Sequence, residues 1–160
     1  MGVDGQSRRA EEGSKVDFQV SEFRFQAGIV MAFRSFEDLE VWQRGCRLAV
    51  DVFKTFARCR NFTMQDQVQR SALSIPSNVA EGYERNSNKE FIRFLNIAKG
   101  SGGELRTQLY ISRKLEFLTK PDFNRLVEES NEISKMLHGL SKAVSQRLSK
   151  KPAGARASEP

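Results

Sequence analysis

Gln67-Val68-Gln69-Arg70-Ser71-Ala72-Leu73-Ser74-Ile75-Pro76-Ser77-Asn78-Val79-Ala80-Glu81-Gly82 keeps helical periodicity across a proline. Val68, Ala72, Ile75 and Val79 step by four, three and four, which is one apolar face of a helix. Pro76 opposes that pattern, because it has no N–H and its ring crowds the carbonyl four residues back, at Ala72. A helix that persists through such a residue is held by packing against other helices, or by a function. Ser71, Ser74 and Ser77 supply hydroxyls that bond to helix carbonyls, including those that Pro76 frees. Gly82 suits the left-handed position after a helix end.

Working outward, three more helical patterns surround this one. Ser35 with Asp38 is a capping pair that opens helix one, and Leu39, Trp42, Cys46, Ala49, Phe53 and Phe56 form its expected core stripe. Thr63 with Asp66 caps the proline-containing helix two. Ser87 with Glu90 is a capping box for helix three, whose seam is Phe91, Leu95, Ala98, Gly102, Leu105, Leu109 and Ser112. Thr119-Lys120-Pro121 stops that helix and starts helix four, with proline in its first turn. Leu126, Ile133, Leu137, Leu140 and Val144 line the inner face of helix four. No segment alternates with period two for long enough to be a strand. The expected fold is all-α, an antiparallel up-down-up-down four-helix bundle with helices inclined by about 20°.

The bundle is expected over residues 34–148, after a disordered leader at 1–33 and before a flexible tail at 149–160. Met31 stands just before the first strong periodicity, so one reading makes it the natural start. The leader has no long apolar block and is not a secretory signal. No apolar run approaches the roughly 20 residues that span a membrane. Cys46 and Cys59 are spaced unlike a metal or redox pair, which implies a reducing cytoplasm with both thiols free.

The net charge of the 160 residues is +6. Residues 1–30 carry net −1 and residues 149–160 net +2, so +5 falls on the bundle. A basic folded part suits phosphate backbones or acidic partners, although charge alone also fits a soluble protein that happens to be basic.

Two helices carry apolar surface beyond their core stripes. At about 100° per residue, Ile97 and Ile111 point away from the seam of helix three, and Gly100 and Gly103 also point outward. Two outward glycines weaken a helix by about 1 kcal/mol each, and make sense where another backbone comes close. Val41 and Leu48 lie opposite the expected core stripe of helix one. These six residues are the expected interface of a homo-oligomer.

Catalytic chemistry has little support. His138 is the only histidine, so a metal pair or a histidine-activated serine has no second partner. Gly100-Ser101-Gly102-Gly103 lacks the Lys-Ser/Thr ending of a phosphate loop and follows a helix. Glu81, Glu84 and Glu90 are explained by caps and ion pairs. No catalytic residue, metal or cofactor is expected. The basic residues offer more. Lys99, Arg106 and Arg113 recur every seven residues along helix three, Arg44, Arg47, Lys54 and Arg58 crowd helix one, and Lys89 and Arg93 sit near a helix start. This set is the expected nucleic-acid surface, reading phosphate backbones with strong salt dependence. Each residue singly is better explained as a solvated flank charge paired with Glu104, Glu116, Glu128 or Glu132, and only the set as a whole favours phosphate binding.

Arg70, Ser74, Pro76, Asn78, Glu81 and Gly82 within the opening stretch resemble the signature of a bacterial four-helix bundle family, first noticed as products of intervening sequences within 23S ribosomal RNA genes. The resemblance continues in Phe36-Glu37-Asp38-Leu39-Glu40-Val41-Trp42-Gln43, in Lys89-Glu90-Phe91, in Phe94-Leu95-Asn96-Ile97-Ala98-Lys99-Gly100-Ser101 and in Glu104-Leu105-Arg106-Thr107-Gln108-Leu109. It covers about residues 34–145. It implies a basic protomer assembling into a homopentameric ring. The family is similar to the accessory variability protein of diversity-generating retroelements, which binds nucleic acid and the reverse transcriptase. The implied partners are therefore a second copy of the chain, nucleic acid (RNA before DNA) and, in a retroelement, a reverse transcriptase. Gly102 departs from the pattern, where a larger apolar residue is expected, and implies a looser core there.

Overall fold

A computed structural model describes residues 34–150; the expected leader at 1–33 and most of the expected tail, 151–160, lie outside the described residues. A 3₁₀ turn at Phe36–Asp38 precedes four helices: α1 Glu40–Phe56, α2 Phe62–Glu84, α3 Asn88–Lys114 and α4 Lys120–Lys150. No strand occurs among the described residues. Helix α1 packs on α2, α2 on α3 and α3 on α4, and α4 returns to α1. The short connectors turn each helix back along its predecessor, which makes the arrangement antiparallel. Helix α4 continues through Ser149 and Lys150, past the expected tail boundary.

The caps explain where the helices begin. Ser87 caps α3 as its spacing predicts, accepting from Glu90 N–H at 3.5 Å. Thr119 Oγ1 accepts from Asp122 N–H at 3.3 Å and donates to Asp122 Oδ2 at 2.7 Å. Helix α2 opens earlier than Thr63, because Asn61 Oδ1 accepts from Met64 N–H at 2.9 Å. Ser35 caps the 3₁₀ turn, not α1, accepting from Glu37 N–H at 3.2 Å.

Gly82 is not a helix end. Helix α2 runs on to Glu84, and the left-handed residue is Asn86, with φ 51°. Gly82 is required by packing instead, since a Cβ there would stand 2.5 Å from Phe94 Cβ. At the far end of α3 the left-handed residue is Glu116, with φ 60°. Phe117 N–H donates to Ser112 O at 2.9 Å and Glu116 N–H to Arg113 O at 3.3 Å, the paired bonds of a Schellman ending.

The expected seams of α2, α3 and α4 are buried. That of α1 is the expected one in Leu39, Ala49 and Phe56 only. Val41 and Leu48, expected on an oligomer face, are 4% and 1% exposed and belong to the core with Gly45, Val52 and Phe56. Phe53 and Val50 face solvent, and Trp42 and Cys46 are half-buried on the outer flank. Helix α1 has one polar face, of Gln43, Arg44, Arg47, Asp51 and Lys54, and opposite it an apolar arc wider than one seam. The core takes the side of that arc that holds Gly45, against which buried Pro76 of α2 packs. The outer aromatics are used locally: Trp42 meets Phe36 edge-on at 5.3 Å, and Phe36 meets Tyr83 at 6.5 Å.

Helix α2 carries its signature residues into the α2–α3 seam. Ser71 Oγ donates to Gln108 Oε1 at 2.5 Å. Asn78 Nδ2 donates to Ser74 O at 2.7 Å, and Ser101 Oγ to Ser74 Oγ at 3.0 Å. Ser77 Oγ donates to Leu73 O at 2.8 Å, one residue on from the Ala72 carbonyl that Pro76 deprives of its donor. Arg70 and Glu81 are exposed, pairing within the helix with Asp66 and Arg85.

Candidate nucleic-acid interface

The nine expected phosphate ligands divide into two groups. Arg44 makes a bidentate pair across to α4, Nε to Glu129 Oε1 at 2.8 Å and Nη2 to Oε2 at 2.6 Å. Arg106 turns into the α3–α4 groove and donates to Ser134 Oγ at 2.7 Å, Ser130 Oγ at 3.2 Å and Ser130 O at 3.3 Å. Arg113 donates to Leu118 O at 3.5 Å. Arg93 pairs with Glu90 at 3.1 Å and lies over the Phe94 ring, 5.6 Å from its centroid. The guanidiniums of Arg44, Arg106 and Arg113 are thus engaged within the protomer, and of the expected α3 stripe only Lys99 makes no ion pair or hydrogen bond with a described residue. The seven-residue spacing does place Arg106 and Arg113 on one flank of α3, but that flank faces α4. Gly102 gives Arg106 its space, because a Cβ there would meet Ser134 Oγ at 3.3 Å and Arg106 Nη1 at 3.5 Å. The expected loose spot in the core is therefore a polar inter-helix junction.

Arg47, Lys54, Arg58, Lys89 and Lys99 are exposed and make no ion pair with a described residue. Arg47 overlooks a shallow groove between α1 and α4 that also holds Asp51, Arg125, Glu128 and Glu129. Carboxylates balance the charge there. Further along α1, Arg125 Nη1 holds Asp51 Oδ2 at 3.0 Å. Beyond that pair Lys54 and Arg58 are unmatched. Arg60, Lys114 and Lys120, at the same end of the bundle, are also exposed and make no ion pair with a described residue. Sequence reading missed these three because they sit in and beside connectors, where no helical stripe marks them. The up-down order of the helices was the signal available, since it places connectors 57–61 and 115–119 at one end.

The hydrogen bond from Arg44 holds the Glu129 carboxyl below its usual range against the opposing effect of burial. The same bond raises Arg44. Burial pushes the Cys46 thiol up, away from reactivity. Gly100-Ser101-Gly102-Gly103 lies inside α3, with Ser101 bonded to Ser74, and forms no phosphate loop. No group of three His, Cys, Asp or Glu suited to a metal occurs among the described residues. Nor is any described helix long and apolar enough to cross a membrane.

Of the expected oligomer residues, Ile97, Ile111 and Gly100 are exposed on α3, while Gly103 is partly covered by the Arg106 side chain. A Cβ on Gly100 would meet nothing within 4 Å. Val50 and Phe53 on α1 and Leu73 on α2 add exposed apolar surface.

The sequence profile of the family described as 23S rRNA-intervening sequence protein matches residues 37–139. Among solved structures, the chain is similar to a protein of unknown function from the S23 ribosomal protein family of Bacteroides thetaiotaomicron. The two share 28% identity over 64% of this chain and 98% of that one, with a TM-score of 0.61. No curated protein matches the chain.

Proposed function

The chain belongs to the 23S rRNA-intervening sequence protein family, and on that premise we propose that it is a non-enzymatic, homo-oligomeric nucleic-acid-binding protein. RNA is its preferred partner, and it acts through backbone electrostatics. The observation that carries this reading is the set of exposed cations that make no ion pair with a described residue: Lys54 on α1, Arg58 in the connector after it, and Lys89 and Lys99 on α3, with Arg47 beside a groove that also holds carboxylates. A folded part with net +5 attracts phosphates, and an assembly repeats every such cation by symmetry. The family's link to ribosomal RNA genes favours RNA. The exposed apolar residues of α1 and α3 supply the subunit contacts, and a pentamer is the expected number.

A second reading uses the exposed apolar residues differently. Val50 and Phe53 on α1 and Leu73 on α2 then meet a protein partner instead of a second copy of the chain. The chain then acts as a scaffold, for example docking the reverse transcriptase of a diversity-generating retroelement.

A mobility-shift series on RNA and duplex DNA tests the first reading. Binding is expected at low salt and should weaken steeply as salt rises. Charge reversal at Lys54, Arg58 and Lys99 should abolish it. No retardation at low salt would sink the proposal, and retained partner capture by the charge-reversed protein would favour the scaffold.

A further inference from the structure

We infer that the end of the bundle formed by connectors 57–61 and 115–119 is a platform for unpaired nucleotides. Bases stack on Phe62 and Phe117, while Arg58, Arg60, Lys114 and Lys120 hold the phosphates. The inference rests on the nucleic-acid reading above and names the part of the nucleic acid that this end takes.

Helices α1 and α3 run toward this end and α2 and α4 away from it, so both connectors share it. Arg125, near the start of α4, ties α4 to the last turns of α1. Its Nη1 donates to Asp51 Oδ2 at 3.0 Å and its Nη2 to Thr55 Oγ1 at 3.3 Å. Packed helix axes lie about 8–10 Å apart, so the connectors border one small face.

Each connector is fixed before any ligand arrives. Cys59 N–H donates to Phe56 O at 2.9 Å, and Gln65 Nε2 reaches the same carbonyl at 3.0 Å. Asn61 then caps α2. On the other side, the Schellman ending of α3 sets the chain direction, and buried Leu118 anchors it while accepting from Arg113. Preorganised loops lose little freedom on binding.

What these loops present is cationic and aromatic together. Phe62 is 78% exposed, although Asn61 does the capping and nothing in α2 needs a ring at that position. Phe117, Tyr110 and Leu115 are also exposed. Asp51 and Asp122 are held by Arg125, which leaves Glu116 as the unpaired carboxylate of connector 115–119. An exposed ring alone suits any apolar partner. Exposed rings in and beside the same two connectors as Arg58, Arg60, Lys114 and Lys120 suit a polymer that alternates anions with π-faces. Paired bases hide those faces within their stacks, so the fitting ligand is an unpaired strand.

The test titrates the full chain and its Phe62→Ala variant with three RNAs at low salt. These are a single strand containing 2-aminopurine, an abasic strand of equal length, and the corresponding duplex. The wild type should bind the single strand tightest and quench 2-aminopurine. Phe62→Ala should weaken single-strand binding by about 5- to 100-fold and leave the abasic strand unchanged. Thermal melting should match the wild type, because Phe62 is outside the core. Should the wild type bind all three RNAs and Phe62→Ala bind them equally well, the platform is wrong and the electrostatic reading stands. Should the wild type bind none, the electrostatic reading itself fails. A variant with unchanged RNA affinity but a smaller oligomer would assign this end to a second copy of the chain and overturn the proposal.

Discussion

Pro76 sits directly on the backbone of Gly45: a Cβ at Gly45 would stand 3.4 Å from both Cβ and Cδ of the proline. The two residues explain each other. Pro76 gives up a helix hydrogen bond, and its ring is buried where α1 offers no side chain. The contact lies on the face of α1 that turns inward.

Gly45→Leu is therefore expected to destabilise the fold by about 2 kcal/mol or more, through overpacking against Pro76. Pro76→Ala removes the ring that the new side chain meets. The double variant should be more stable than the sum of the two single changes predicts, with a coupling of at least about 0.5 kcal/mol. Urea denaturation of the four proteins measures it. Strict additivity would mean that the contact does not position the helices.

The Arg44–Glu129 pair gives the fold a pH dependence of known sign. The pKa of Glu129 is lowered in the folded state, first by its hydrogen bond from Arg44. Its stabilising effect is fully present above the unfolded carboxyl pKa of about 4.3, and is lost as pH falls through the lower folded value. The melting temperature should drop on acidification below that point. Glu129→Gln should cost about 1 kcal/mol at neutral pH and flatten part of the acid limb. An acid limb identical to the wild type's would assign the pH dependence to other carboxylates.

The seams of α2, α3 and α4 were legible because each apolar stripe keeps its three-four spacing along the helix. The seam of α1 was legible by half: its polar face is clear, but the apolar arc opposite is wider than one seam, and the core takes the side of Val41, Leu48 and Val52 where the expected stripe took that of Trp42, Cys46 and Phe53. The partners of the cationic candidates were not legible either. Spacing places Arg44 and Arg106 on flanks, but a flank of a bundle helix faces either water or a neighbour. Glu129, Ser130 and Ser134 on α4 decide that, and they lie far away in sequence. Arg60 and Lys114 needed the opposite step, from topology to a shared end.

Ser112 marks a place where the core is suboptimal. It is fully buried, and its hydroxyl has no hydrogen-bond partner among the described residues, although its carbonyl takes the Phe117 N–H. Ser112→Ala removes the unmet hydroxyl, keeps the backbone bond and improves helix propensity. A gain of about 1 kcal/mol is expected in urea denaturation. A loss would show that the hydroxyl is satisfied in solution.

Gly100 separates protomer stability from assembly. An alanine there meets nothing in the protomer, so it should stabilise α3 by about 1 kcal/mol through propensity alone. If a neighbouring subunit brings its backbone against this face, the same methyl group holds that backbone away. The expected result is a higher urea midpoint for the protomer together with a smaller mass by light scattering. Stabilisation with an unchanged oligomer would move the subunit contact off this part of α3. Val50 and Phe53, the exposed apolar pair on α1, would then be the surface that closes the assembly.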